Sequence, residues 1–220
     1  MATREPVTRE RLVRTAVALA DRKGLEAASM RALAQELAVV PMALYKHVRG
    51  RDELLDGMID VVFAELDPPS GPWRAAMRHR AEAMRAALRR HPWAIGRMES
   101  TGTPGLANLR HHDATLGCLR RAGFDFRRAV HVMSACDSYI YGFALQERTL
   151  PFATPEESAE VAAARSAAQP ELAALFPSLV EVVGELAAAG YDADAEFGIG
   201  LDLLLDGIEL RAADWASGDG

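Results

Sequence analysis

The stretch Ser29–Val48, SMRALAQELAVVPMALYKHV, reads as two short helices separated by a tight turn. Ser29 can cap the first helix by accepting a backbone N–H bond, after which Leu33, Ala34 and Leu37 recur at helical spacing as one buried stripe. That helix is expected from Met30 to about Leu37. Ala38, Val39 and Val40 then form the turn, and Pro41 suits the first position of a second helix, where its missing N–H costs nothing. The second helix is expected over Pro41–Val48. Leu44 and Val48, four residues apart, face inward and leave Pro41, Met42, Ala43, Tyr45, Lys46 and His47 for the exposed side and the N-terminal end. These are the positions with which a helix-turn-helix reads bases. Tyr45, Lys46 and His47 can donate hydrogen bonds to phosphate or base edges, whereas Val40, Pro41, Met42 and Ala43 offer apolar contact such as that with a thymine methyl. A helical hairpin alone more often does nothing but pack, so the reading needs its surroundings.

Before the hairpin, Thr8 can cap a helix whose apolar face is Leu12, Val13, Ala16, Leu19 and Ala20, stopped by Lys23-Gly24. After it, Gly50 breaks the chain. Asp52-Glu53 then places acid in the first turn of a helix carrying Leu54, Leu55, Met58, Ile59, Val62 and Phe63 to about Leu66. Asp67-Pro68-Pro69-Ser70-Gly71-Pro72 is the strongest break in the sequence, and it sets the expected boundary between a head, residues 1–67, and a body, residues 68–220. Charge divides the same way. Residues 1–51 hold ten Lys/Arg and five Asp/Glu, a balance of +5, whereas the rest hold 15 and 26, a balance of −11, giving the chain its −6. A basic head is drawn to phosphates and an acidic body stays off them.

Residues 8–66 resemble the N-terminal domain of the TetR family of bacterial one-component regulators, through RALAQELAVVPMALYKHVRGRDELLDGM in particular. The shared marks are Arg31 with Leu33-Ala34, then Ala43-Leu44-Tyr45, His47-Val48 and Asp52-Glu53-Leu54-Leu55. The resemblance implies operator contacts from Arg31, Val40, Pro41, Met42, Ala43, Tyr45, Lys46 and His47, with Arg51 near a phosphate. Two positions depart from the pattern. Ala38 stands where the family usually has Gly, so the left-handed turn costs about 1 kcal/mol. Val40 stands where a polar cap is common, which removes roughly 1 kcal/mol of capping.

In the body, Trp73, Met77, Ala81, Met84 and Leu88 keep helical spacing while Arg74, Arg78, Arg85 and Arg89 occupy another face, read first as a solvated one. His91-Pro92 ends this helix. Thr103-Pro104 opens another to Ala122-Gly123, with His112 or Asp113 near its apolar face. Phe126–Leu150 is apolar almost all round, so it is central or lies in an interface. Asp137 sits among those apolar residues and must be paired, hydrated or facing a cavity. Thr154-Pro155-Glu156-Glu157 is a capping box for a helix to about Ala168, and Leu172–Leu186 supplies a further apolar stretch. The last helix, about Asp194–Ala216, interleaves Gly198, Gly200 and Gly207 with Phe197, Leu201, Leu204, Leu205 and Ile208, as close approach of another helix would require.

HPWAI, LRRAGF and AEFGIGLDLLLDGIE resemble the ligand-binding domain of tetracycline-repressor-like proteins. This implies an all-α fold, a three-helix helix-turn-helix domain followed by a helical domain for effector binding and dimerisation. It also implies a homodimer through the helices at about 126–150 and 194–216. An apolar cavity with a few polar anchors fits such a body, and the candidate lining is Trp93, Met98, Asn108, His112, Leu116, Met133, Asp137, Tyr141 and Phe176.

No catalytic motif or phosphate loop is present. Cys118 and Cys136 are isolated and read as buried thiols. No cofactor or metal is expected, and no enzyme activity. No apolar run approaches the ~18 residues of a membrane span, and MATREPVTRER lacks the core of a signal peptide, so the expected location is cytoplasmic. The expected function is a DNA-binding regulator, a repressor released from a palindromic operator by a small molecule. The alternatives are a ligand-binding dimer with a vestigial head, and an all-α enzyme holding a metal on His112, His131 and Asp137.

Overall fold

Thr8 accepts the Arg11 N–H and starts α1, Arg9–Lys23, whose buried face is Leu12, Val13, Ala16, Val17, Leu19 and Ala20. The computed structural model describes residues 6–98, 102–168 and 175–217, and among these all regular structure is helical. A 3-10 turn, Leu25–Ala27, leads to α2, Met30–Glu36, which Ser29 caps by accepting the Ala32 N–H. Next come α3, Pro41–Leu44, and α4, Arg51–Ala64. α1 packs against both α2 and α4, and α2 packs against α3. α1 comes so close to α4 at Gly57 that a Cβ there would lie 3.1 Å from a Val13 methyl.

The body begins with α5, Trp73–Arg90, followed by a 3-10 turn at Pro92–Ala94, α6, Leu106–Arg121, and α7, Phe126–Glu147. Then follow α8, Pro155–Ala168, α9, Pro177–Ala189, and α10, Ala193–Ser217. By contact the chain divides into two compact units, Met1–Ala144 and Leu145–Gly220. The proline-rich break at 67–72 therefore lies inside the first unit, because helices on its two sides pack together: α4 lies against α6. In the second unit α8 packs on α9, and Thr154 caps α8 by accepting the Glu157 N–H, while the Glu157 carboxylate accepts the Ala153 N–H.

Three element bounds differ from expectation. The second hairpin helix is regular only over Pro41–Leu44, not to Val48; Tyr45–His47 continue as tight turns, with the His47 N–H donating to Leu44 O at 2.9 Å. α6 starts at Leu106 rather than at Thr103-Pro104, with Gly105 as its N-cap. α9 starts at Pro177; Leu172 to Ala174 of the expected apolar stretch lie outside the described residues.

Two carboxylates of α4 join it to the segment opening α6. Asp56 accepts the Gly102 and Thr103 N–H groups at 3.2 and 3.1 Å, and Asp60 accepts the Asn108 N–H at 2.9 Å. A helix N-terminus leaves its first N–H groups unpaired and carries partial positive charge, so acid is favoured there. Gly105 is required at this joint, because a Cβ would overlap the Asp60 side chain.

Candidate nucleic-acid interface and buried polar cluster

The hairpin turn is a Schellman motif. Ala38 N–H donates to Gln35 O and Val39 N–H to Ala34 O, with Ala38 at φ +53°. It is the one non-glycine residue with positive φ among those described, so the expected left-handed strain is present. Val40 is the N-cap of α3 and makes no side-chain cap bond. Leu33, Ala34, Leu37, Leu44 and Val48 are buried and anchor the hairpin.

That anchoring turns the other side outward. Val40, Pro41, Met42, Tyr45 and Lys46 are exposed, as is Arg31, while Ala43 and His47 are half-buried. Val40 at 67% and Met42 at 72% exposure are large apolar groups left in water, and the cations Arg31, Lys46 and Arg49 are exposed as well. Arg51 is also exposed, but its guanidinium donates to Glu26 at 2.9 Å. An exposed pair of this kind is worth about 0–1 kcal/mol, which a phosphate can outbid. Glu53 accepts from both the backbone N–H and the side chain of Arg49, and these bonds hold its carboxyl below the usual range.

The body contains the opposite arrangement, charge turned inward. Arg80 of α5 is 1% exposed; its Nε donates to His111 Nε2 of α6 at 3.0 Å, and its Nη2 lies 2.6 Å from Asp137 Oδ1 of α7. The Asp137 contact is electrostatic rather than a directed hydrogen bond. With Arg80 Nη2 and Asp137 Oδ1 paired to each other, Arg80 Nη1 and His111 Nδ1 are left buried without a hydrogen-bond partner. Burial first, and the Arg80 charge second, push His111 down to about 3, so its ring is neutral. Burial likewise pushes the Cys136 thiol up to about 11. Phe63 of α4 packs 5.6 Å from both the His111 and the His112 ring, so this cluster touches the head's last helix.

Of the candidate ligand residues, Asp137 is in this cluster, and Asn108 and His112 lie on the same helix as His111, with His112 Nδ1 3.0 Å from Asn108 O. Leu116, Met133 and Tyr141 are half-buried on α6 and α7. Met98 is buried. Trp93 is engaged elsewhere: its Nε1 donates to Asp21 of α1 at 2.6 Å, where His91 bridges Asp21 and Glu65. Phe176 is exposed, in the second unit. Arg80 and His111 are cluster residues that the sequence reading misses. The signal for Arg80 was available, since position 80 is three after Met77 and four before Met84, on the apolar stripe itself. The metal alternative does not assemble: His131 is exposed while Asp137 faces Arg80, and no group of three His, Cys, Asp or Glu converges among the described residues.

A cleft of about 520 Å³ lies apart from the cluster, along Arg9, Arg49, Glu53, Asp56 and residues 102–105. Its walls are charged and open, and it marks the α4–α6 joint. No helix among the described residues is long and apolar enough to cross a membrane.

Comparison with known proteins agrees with this architecture over almost the whole chain. Residues 12–58 match the family described as bacterial regulatory proteins, tetR family, and residues 66–212 match the tetracyclin repressor-like C-terminal domain. The HTH-type transcriptional repressor DrrR1 of Streptomyces coeruleorubidus is 32% identical over 94% of this chain and 79% of its own. The class A tetracycline repressor protein of Escherichia coli is 30% identical over 91% of this chain and 89% of its own. The Streptomyces coelicolor TetR family protein ActR, solved in complex with actinorhodin, superposes with a TM-score of 0.77 at 28% identity, covering 98% of this chain and all of that one. With a basic helix-turn-helix head and a helical body that match in order and extent, this chain belongs to the TetR family of bacterial transcriptional regulators.

Proposed function

We propose that this chain is a cytoplasmic homodimeric repressor that acts by binding rather than by catalysis. Residues 1–67 read a palindromic operator, and residues 68–220 dimerise and hold a small-molecule effector. The observation that carries the reading is the outward face of the hairpin, where Pro41, Met42, Tyr45 and Lys46 stand exposed on the buried Leu44 and Val48. Tyr45, Lys46 and His47 supply polar contacts, Val40, Pro41, Met42 and Ala43 apolar ones, Arg31 touches the operator as well, and Arg51 lies near a phosphate. Such a head binds half-sites about one helical turn apart when paired with a second copy.

Pairing has its own support. Phe126 and Leu145 on α7, and Ile199, Leu203 and Leu210 on α10, are large apolar side chains left exposed in the single chain. A Cβ at Gly142, Gly198 or Gly207 would meet nothing within 4 Å among the described residues. The close approach that interior glycines favour is therefore not made among the described residues, and a second copy along α7 and α10 would make it. ActR has been solved with small molecules bound; we extend effector binding to the body of this chain. Release follows if the effector prefers the arrangement of α6 that draws α4, through Asp56, Asp60 and Phe63, out of register with DNA.

The test is a gel shift with the intergenic DNA flanking the gene, against random competitor, over a salt series. Competitor-resistant binding that weakens with salt and protects two symmetric half-sites is expected. Tyr45→Ala with Lys46→Ala should remove it while the dimer persists in sedimentation. Unchanged affinity in that double variant would dismiss the reading helix, and binding no stronger than to competitor would favour a vestigial head.

A further inference from the structure

The unpartnered atoms of the buried cluster form a definite pattern. Arg80 Nε donates to His111 Nε2, so Nε2 carries the lone pair and the ring proton sits on Nδ1. His111 Nδ1–H is thus a donor, and it has no acceptor. The Nε and Nη2 side of the guanidinium is occupied by His111 and Asp137, which leaves N–H groups at its Nη1 end, also without an acceptor. A buried donor left unmet costs about 1–3 kcal/mol, so the arrangement calls for an acceptor. Charge says which kind. Arg80 and Asp137 pair with opposite charge, and burial, with the Arg80 charge beside it, keeps the imidazole neutral. The two charges act in opposite directions on the adjacent Cys136 thiol as well. A carboxylate would bring a second negative charge beside Asp137 into a site already balanced, and an unpaired buried charge is costly. A ketone or quinone oxygen brings lone pairs and no charge.

We propose that Arg80, His111 and Asp137 form the polar anchor of the effector site and select a ligand presenting a neutral carbonyl oxygen on an apolar ring system, against the corresponding carboxylate. Asp137 sets this selectivity by holding the Arg80 charge balanced. The inference rests on the effector-binding reading of the body, but its test does not pass through DNA.

The probes are 1-acetonaphthone, 1-naphthoate and 1-ethylnaphthalene, alike in ring and size and differing in the group offered to Arg80. Dissociation constants are measured by tryptophan fluorescence on the full-length wild-type protein, with operator binding followed separately on the same preparation. The ketone is expected to bind at least about tenfold tighter than either the ethyl compound or the carboxylate. Asp137→Asn is expected to invert the order of ketone and carboxylate, because Arg80 then lacks its counter-ion; Arg80→Met is expected to abolish the preference for the ketone over the ethyl compound. Equal affinity for ketone and ethyl compound, a wild-type preference for the carboxylate, or no binding of any probe would mean a solvated ion pair only and overturn the proposal. The wild-type comparison decides even if a variant fails to fold. Intact operator binding with no ketone preference removes this inference alone, whereas absent operator binding removes the regulator reading.

Discussion

The hairpin and the α5–α6–α7 core treat charge in opposite ways. In the hairpin, Leu33, Ala34, Leu37, Leu44 and Val48 go in and Arg31, Tyr45 and Lys46 go out as the sequence period requires, while Ala43 and His47, expected on the outer side, are half-buried. In the core, Arg80, His111 and Asp137 go in, each from a different helix. A surface that meets a polyanion needs only exposed cations on a firm apolar base. A site that must admit one small molecule needs polar groups held in a dry interior, where a few directed atoms discriminate strongly. The first arrangement stabilises the fold, and the second works against it.

Breaking the core cluster should have the largest effect. Asp137→Ala leaves Arg80 buried without its counter-ion, and a loss of about 3–5 kcal/mol in urea unfolding is expected. Arg80→Met combined with Asp137→Leu removes both charges and should come within about 1 kcal/mol of wild type or exceed it. A double variant as unstable as the single one would show that the pair holds the fold together and would erase the contrast.

The same cluster should make the protein acid-sensitive well above the carboxylate range. His111 is held down to about 3 from its ordinary 6.5. Between those values the unfolded chain binds a proton that the folded chain refuses. Stability is therefore full above pH 6.5 and falls as pH drops toward 3, by a few kcal/mol over that span. Chemical denaturation between pH 7 and 5 should show the slope, and His111→Gln, which can still accept from Arg80, should flatten it.

At the joint between the two regions, Asp60→Ala should cost about 1–3 kcal/mol by leaving the Asn108 N–H in the first turn of α6 without its acceptor. Gly105→Ala should cost a similar amount through overlap with the Asp60 side chain. Both should also weaken the effect of any effector on operator affinity while leaving operator affinity itself within a few-fold; an unchanged effector response would place the coupling elsewhere. The smallest change belongs to the hairpin. Ala38→Gly relieves a residue held at φ +53° and should raise stability by up to about 1 kcal/mol. Melting temperature reads it, and a decrease would mean that the Ala38 methyl packs usefully.

The chain by itself determined where most helices form, the hairpin with its strained Ala38 and uncapped Val40, and the buried stripe that turns Tyr45 and Lys46 outward. All of these depend on neighbours within a few positions, through capping, period and turn geometry. It also marked Asp137 as needing a partner. Only the tertiary structure supplied that partner: Arg80 and Asp137 are 57 positions apart and on different helices, and the buried Arg80 charge is compensated by that carboxylate. The sequence spacing drew the eye to Arg74, Arg78, Arg85 and Arg89 as a face, yet Arg85 is buried, its guanidinium 4.8 Å over the Phe143 ring. The length of the reading helix and the division of the chain at Ala144 were likewise decided by packing. Without a side-chain cap, α3 has little local reason to persist, and α4 lies on α6 across a loop that composition alone reads as a boundary.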